Sequence, residues 1–275
     1  KQYSGVKMNK STKKFLSLFV FTLFCKVGFP ESLPNATSII KKVNDAEDGI
    51  QVTRKVTMKM IDRRGKERIR ETISYRKYFG KDRKTVIFYT DPANVKDTAF
   101  LTYDYESINK EDDQWLYLPA LRKIRRISSK DRGDYFLGTD FTYEDIKKEG
   151  KISIDEYEFS MEGKDVVDGK MVVKITAVCK TETIAEEVGH SKVIMWIDPE
   201  INIVRKSLFF DINGNRLKTI YVSDIRKVDG KWTRHLLRAE NHKTGHQSIF
   251  RFDEVDYKSN IPDRVFLKSS LRRGF

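Results

Sequence analysis

The sequence predicts a mainly β chain folded as one long antiparallel meander, and three observations predict it. Apolar and polar residues alternate with a period of two in run after run between residues 50 and 257, the pattern of a strand. Short polar or glycine-bearing links separate the runs, including the Asn-Gly of "DINGNRLKTI" and the Asp-Gly of "VDGKW", both strong hairpin signals. No βαβ spacing, fixed-period repeat or low-complexity linker interrupts them, so consecutive strands pair as neighbours in one domain.

The first element is a leader. Lys10, Lys13 and Lys14 precede the apolar run "FLSLFVFTLFC", Phe15 to Cys25, the basic and apolar parts of a secretory signal, too short to span a bilayer comfortably. Met8 reads as the natural start and Ala36 as the last residue removed, with Pro34 a poor neighbour for that cut. Acylation of Cys25 is the alternative; against it, Phe24 stands where lipoprotein signals carry a small residue. Residues 1–36 are thus assigned to the leader and 37–275 to a single domain, in which Cys179 is the one cysteine left. A lone thiol excludes an internal disulfide framework, and "MVVKITAVCKTET" places it in a strand as a small hydrophobe.

After the leader, "NATSIIKKVNDAEDG" carries Thr37 and Ser38 as caps, Ile39, Ile40, Val43 and Ala46 at helical spacing, and Gly49 as a stop. It predicts one short amphipathic helix. A first block of strands follows: "IQVTRKVTMKMID", "KERIRETISYRKYF", "KTVIFYTD", "TAFLTYDYE" and "QWLYLP". A second runs from "GKISIDEYEFSME" through "KMVVKITAVC", "SKVIMWID", "NIVRKSLFFDI", "RLKTIYVSDI" and "KWTRHLLRAEN" to "QSIFRFDEVDY".

Between the blocks, over about 128–149, alternation fails. Asp140 is placed to cap a short helix carrying Phe141 and Ile146, and Gly133 and Gly138 to hinge the apolar group Tyr135, Phe136 and Leu137. An insertion this apolar must be buried. Several strands are also apolar on both faces, such as Val86 and Phe88 against Ile87 and Tyr89, or Met195 and Ile197 against Ile194 and Trp196. Each such side chain left wet forgoes roughly 1.5–3 kcal/mol, so these strands are covered on both sides or line a cavity. A curved sheet whose concave face is covered by the helix and the insertion meets both demands.

No catalytic constellation is legible. The histidines are His190, His235, His242 and His246; only "ENHKTGHQ" pairs two, at a hairpin tip read as solvated rather than as a metal site. The carboxylate pairs Asp112 with Asp113, Asp155 with Glu156 and Glu186 with Glu187 read as loop charge, and no metal or cofactor is expected. The net charge of +13 includes +5 from residues 1–36. Past the leader, 47 cations face 39 anions, a mixed surface unlike that of a dedicated nucleic-acid binder. The basic stretch of Arg122, Lys123, Arg125, Arg126, Lys130 and Arg132 follows Trp115 and Tyr117. Because "RKIRRIS" puts Ile124 and Ile127 on opposite faces, its cations make no single stripe for phosphates.

The run "WLYLPALRKIRRISSKDRGDYFLGTDFTYEDI", Trp115 to Ile146, resembles the signature of outer membrane lipoprotein-sorting proteins, in the LolA/LolB-like lipoprotein-carrier superfamily. Weaker similarity extends through "YFGKDRKTVIFYTDPANVKDTAFLTYDYE", "WIDPEINIVRKSLFFDINGNRLKTI" and "DEVDYKSNIPDRVF". The resemblance implies an unclosed antiparallel β-barrel, a half-barrel, with a helical lid over its concave apolar face. It further implies a non-enzymatic periplasmic carrier that takes lipid or lipoprotein acyl chains toward the outer membrane. An exporter of the resistance-nodulation-division type is the implied partner, with peripheral contact to membranes; a non-carrier envelope adaptor docking on a transporter or membrane is the alternative.

On one alternating face, the expected lining of the hollow is Val56, Met58, Ile73, Tyr75, Phe88, Tyr103, Trp115 and Tyr117, with Phe136, Leu137 and Phe141 from the lid. Arg122, Arg125, Arg126 and Arg132 are the expected contacts to a head group or partner protein.

Overall fold

The computed structural model describes residues 35–107 and 109–273; the leader calls at Met8, Cys25 and Pro34 lie outside them. The chain opens on helix α1 (Ala36–Asp45), whose N-cap is Asn35 rather than Thr37 or Ser38: the Asn35 side chain accepts a hydrogen bond from the Thr37 amide at 2.7 Å. Ile39, Ile40 and Val43 fall on the buried side of the helix, as their spacing predicts.

Six strands follow in a meander: β1 (Gln51–Ile61), β2 (Glu67–Phe79), β3 (Asp82–Asp91), β4 (Ala99–Asp104), β5 (Asp113–Leu118) and β6 (Lys123–Ile127). A long segment with one helical piece, α2 (Tyr143–Lys148), leads to the second meander. That meander comprises β7 (Tyr157–Val167), β8 (Lys170–Cys179), helix α3 (Glu182–Val188), β9 (Lys192–Asp198), β10 (Ile203–Phe210), β11 (Arg216–Val228), β12 (Lys231–Asn241) and β13 (Gln247–Asp256). The chain closes on a 3-10 turn at Asp263–Phe266 and helix α4 (Ser270–Arg273). Residues 150–156, expected to open a strand, are irregular, and β7 starts at Tyr157.

All thirteen strands join one antiparallel sheet in the order β6-β5-β4-β3-β2-β1-β13-β12-β11-β10-β9-β8-β7. The edges β6 and β7 do not pair, so the barrel is unclosed. Charge guards both edges: Lys123, Arg125 and Arg126 on β6 and Glu158, Glu162 and Lys164 on β7. The basic stretch is therefore an edge strand and its turn.

This topology explains the lid. The segment between β6 and β7 joins opposite edges of a sheet that would be roughly 60 Å wide if flat. It spans that gap because the sheet curls around it. Ile127 near one edge, Tyr157 and Ile175 near the other, the lid's Phe136 and Phe141, and Ile40 of α1 belong to a single buried cluster. Arg132, just after β6, reaches Glu156, just before β7, at 2.7 Å and Glu187 of α3 at 3.0 Å.

The outer face of β2–β5 is closed differently. Ile261, Val265, Phe266 and Leu271 of the C-terminal segment pack on Tyr75, Val86, Phe88 and Leu101 as a second cluster. Across β9 and β10, lysine ammonium groups lie over the aromatic rings instead, with Lys206 Nζ 4.5 Å from the Trp196 ring centroid and Lys192 Nζ 4.3 Å from that of Phe210.

Candidate functional site

The lid is fastened from several strands. Arg70 Nη1 of β2 donates to the Leu137 carbonyl at 2.7 Å, and Asn241 at the end of β12 donates to the Tyr135 hydroxyl at 3.0 Å. Asp140, expected as a helix cap, instead anchors the lid to β13: its Oδ2 accepts from Ser248 Oγ at 2.7 Å and lies 2.6 Å from His246 Nδ1. The cap of α2 is Thr142, in a reciprocal capping box with Asp145. Phe141 precedes that helix and packs on Phe250, ring centroids 4.4 Å apart. Gly133 is no free hinge, since a Cβ there would stand 2.6 Å from the Gly189 amide nitrogen behind α3. Gly138, at φ +78° with nothing near its Cβ position, and Leu137, at φ +47°, form the open turn of the lid.

Beneath α2 are two apolar chambers. The larger, about 150 Å³, is walled by Tyr157, Ala177, Val193, Met195, Phe209, Ile220 and Val222. The smaller, about 60 Å³, is walled by Val56, Met58, Ile87, Phe250 and Phe252. Phe141, Glu149, Arg234 and Leu237 line both. A third, polar chamber of about 260 Å³ adjoins them where α1 and α2 end; Arg54, Arg76, Lys151, Lys231, Trp232 and Tyr257 line it, again with Glu149 and Arg234.

Glu149 is therefore at the junction. It follows α2 in left-handed conformation, φ +49°. Its carboxylate accepts from Arg54 Nη2 at 2.7 Å and Nη1 at 3.2 Å, and lies 3.7 Å from Arg76 Nε. Burial alone would raise this carboxyl, but the Arg54 and Arg76 guanidiniums outweigh it and hold it down at about 2. Arg234 Nη2 donates to the Glu149 carbonyl, and a Cβ on Gly150 would collide with that guanidinium. Burial first, and then the Arg54 and Arg76 charges, lower the Arg234 pKa despite the attraction of Glu149. Arg83 donates to the carbonyls of Lys147 and Lys148 at 2.6 and 3.0 Å, closing the C-terminus of α2.

The predicted lining residues divide. Val56, Met58, Phe136, Leu137 and Phe141 meet in the cluster under the lid. Ile73, Tyr75, Phe88, Tyr103, Trp115 and Tyr117 lie in the outer cluster, under the C-terminal segment. The correction is one of parity. Directly opposite residues of an antiparallel pair share a face, and Val56 is opposite Thr72 while Ile73 is opposite Lys55. The inner face of β2 carries Thr72, Ser74 and Arg76, all buried; apolar outer residues hid the polar inner ones. Of the four arginines, Arg132 is a buried tie among Glu144, Glu156 and Glu187. Arg125 pairs with Asp131 at 3.5 Å and Arg126 with Asp113 at 3.0 Å, and Arg122 is the exposed residue after the Pro119–Leu121 turn.

Several charges read as solvated are built in. Asp112 pairs with buried Lys147 at 2.5 Å, and His242 at the β12–β13 tip contacts Thr219 Oγ1 at 2.7 Å. Glu149 and Arg234 were missed, as was the C-terminal cover; the latter had a signal in Ile261, Val265 and Phe266 near the chain end.

Two polar clusters invite a catalytic reading. Ser248, His246 and Asp140 lie together, but the serine hydroxyl donates to the aspartate rather than to the imidazole, which leaves no activated nucleophile. Tyr157 meets His190 Nε2 at 3.0 Å, and Cys179 Sγ donates to the His190 carbonyl. Burial lowers His190 to about 4 and, with Glu156, raises Cys179 to about 11, so at neutral pH imidazole and thiol are both uncharged. Among the described residues no group of three or more His, Cys, Asp or Glu could hold a metal ion, and no helix is long and apolar enough to cross a membrane.

A family model described as "-like: Uncharacterized protein" matches residues 81–273, and the chain belongs to that family. No curated protein matches at a significant level. Among solved structures, the chain is similar to a DUF1329 family protein from Desulfovibrio piger, at 25% identity and TM-score 0.79, over 86% of this chain and 97% of that one. A domain from Vibrio parahaemolyticus described as an outer membrane lipoprotein-sorting protein superposes with TM-score 0.78 at 24% identity, over 86% and 98%. A LolA superfamily protein from Nitrosomonas europaea does so with TM-score 0.65 at 18% identity, over 86% and 98%. The fold is that of the LolA superfamily, as the motif from Trp115 to Ile146 implied.

Proposed function

We propose that the protein is a carrier in the bacterial periplasm that holds acyl chains of a lipid or lipoprotein in the apolar chambers beneath its lid. One observation carries this reading: within a close-packed sheet, the unfilled apolar space lies under the segment that joins the two unpaired edges. Protein interiors pack densely, and burial contributes about 0.8 kcal/mol per methylene of an acyl chain. Ligand pockets commonly measure about 300–1,000 Å³, more than the 150 Å³ of the larger chamber. In this reading the lid is closed here, and loading lifts it from Phe250 and β13.

The similarity to proteins described as lipoprotein-sorting supports the same class of cargo. Delivery toward the outer membrane, peripheral membrane contact and an exporter of the resistance-nodulation-division type as partner belong to the same proposal. Native mass spectrometry of protein purified from its own envelope, with lipid extraction, tests it. About one lipid or lipoprotein per chain is expected. A protein that is empty and refuses added lipid contradicts the reading and favours an envelope adaptor, whose partner capture would survive filling the chambers.

A further inference from the structure

The polar chamber beside the hollow is lined by Arg54, Arg76, Lys151, Lys231 and Arg234 against Glu47, Asp48, Glu149 and Glu200, and Lys231 is met by Glu47 at 3.4 Å, so its uncommitted donors are those of the buried arginines. Arg54, Arg76 and Arg234 line it together, and the buried carboxylate among them is that of Glu149. Asp48 answers Arg76 at 2.7 Å, but it is half-buried and also accepts from the Tyr78 hydroxyl at 3.1 Å. Arg234 has no carboxylate in ion-pair range among the described residues; its partner is a main-chain carbonyl. The side chain of Arg76 is 2% exposed, and neither its Nε nor that of Arg54 has a hydrogen-bond partner among the described residues. Buried guanidinium donors are costly to leave unmet. Trp232 and Tyr257 stand at the same chamber, amphipathic side chains suited to a boundary between water and an apolar tail.

The decisive feature is position. Glu149 and Arg234 line the polar chamber and both apolar ones, so a molecule with its tail under the lid has its other end among these arginines. We propose that the polar chamber binds the anionic group, phosphate or carboxylate, of an amphiphilic cargo, and that Glu149 holds that group's place while the lid is closed. Planar guanidiniums recognise both anions through paired hydrogen bonds. Because Glu149 directly follows α2, an anion that displaces its carboxylate from Arg54 removes one of the ties, beside those from Arg83 and Arg234, on the C-terminal end of the lid helix. Cargo entry and lid opening are then coupled through one carboxylate. This inference rests on the carrier reading and adds the chemistry of the cargo's head.

The test compares 1-myristoyl lysophosphatidic acid with 1-myristoylglycerol, which share a tail and differ in the phosphate, and with inorganic phosphate alone, by calorimetric titration of the full chain. At least tenfold tighter binding of the phosphorylated amphiphile is expected, with the margin shrinking as salt rises. Arg234→Gln is expected to remove most of that margin; Lys231→Gln, at a residue that lines the polar chamber but neither apolar one, shows a smaller loss with 1-myristoylglycerol binding unchanged and stands in should the first variant misfold. Glu149→Gln is expected to tighten the phosphorylated ligand. Equal binding of both amphiphiles, insensitive to these variants, overturns the anion site and leaves the carrier. Binding of inorganic phosphate without either amphiphile overturns the inference and the carrier reading together, as does binding of none of the three.

Discussion

The two apolar clusters of the sheet are built from similar residues but finished in different ways. The outer one, around Phe88, Leu101 and Phe266, is closed by the C-terminal segment and borders none of the chambers described above. The inner one, around Met195, Phe209 and Phe141, keeps open space and is rimmed by buried ions such as Glu149 with Arg54 and Lys147 with Glu144. Hydrophobic content therefore does not tell the two faces apart; unfilled space beside buried charge does.

The largest effect that separates the clusters is expected on the outer side. Phe266 is 1% exposed, and Phe266→Ala should cost about 3–5 kcal/mol in urea unfolding while acyl binding per folded molecule stays as it was. Reduced binding with little loss of stability would reverse the roles of the two faces.

Acid acts on the inner side. His190 is depressed to about 4, so as pH falls from the unfolded imidazole's value near 6.5, the unfolded state takes up the proton first and stability declines until about pH 4. Glu149, depressed to about 2, stabilises fully above the ordinary carboxyl range and loses that contribution as pH falls from about 4.3 toward 2. Urea midpoints measured against pH should show both windows; His190→Gln should remove the upper one, and Glu149→Gln should make the lower one shallower, since Asp104 and Glu144, also held down by neighbouring cations, share it. A single unbroken decline in all three proteins would disprove the assignment.

Ser207, half-buried at the wall of the larger chamber, offers a smaller and more selective change. Ser207→Phe should fill that space and weaken acyl binding by about tenfold or more, with the melting temperature kept or raised. Full binding in the filled variant would show that the chamber is not the site. Smaller still, Thr142→Ala removes the capping box of α2 and should cost about 1 kcal/mol, read as faster amide exchange confined to the lid. Faster exchange spread over β11–β13 instead would mean that the lid and those strands open as one unit.

The strands, the hairpin pairings within each block and the lid were legible because period-two runs, hairpin turns and a break in alternation are local signals; the pairing of β1 with β13, which joins the blocks and leaves β6 and β7 apart, is long-range and was not. The inner lining was half legible. Val56 and Met58 have polar neighbours that declare their parity, whereas β3 is apolar on both faces and β2 places Thr72, Ser74 and Arg76 inward. Only the register of Val56 with Thr72 and of Ser74 with Ile87 decides between the faces, and register is a property of pairing. Glu149 and Arg234 are 85 residues apart in sequence, in segments that read alone as a helix end and a polar strand.

The central claim is that cargo lies inside the curl of the sheet. Photo-crosslinking with a fatty acid carrying a diazirine near its methyl end, followed by peptide mapping, tests it most directly. The label is expected on peptides containing Val193, Met195, Phe209 or Phe141. Label on those containing Phe88, Trp115 or Phe266, or none above background, would contradict the account.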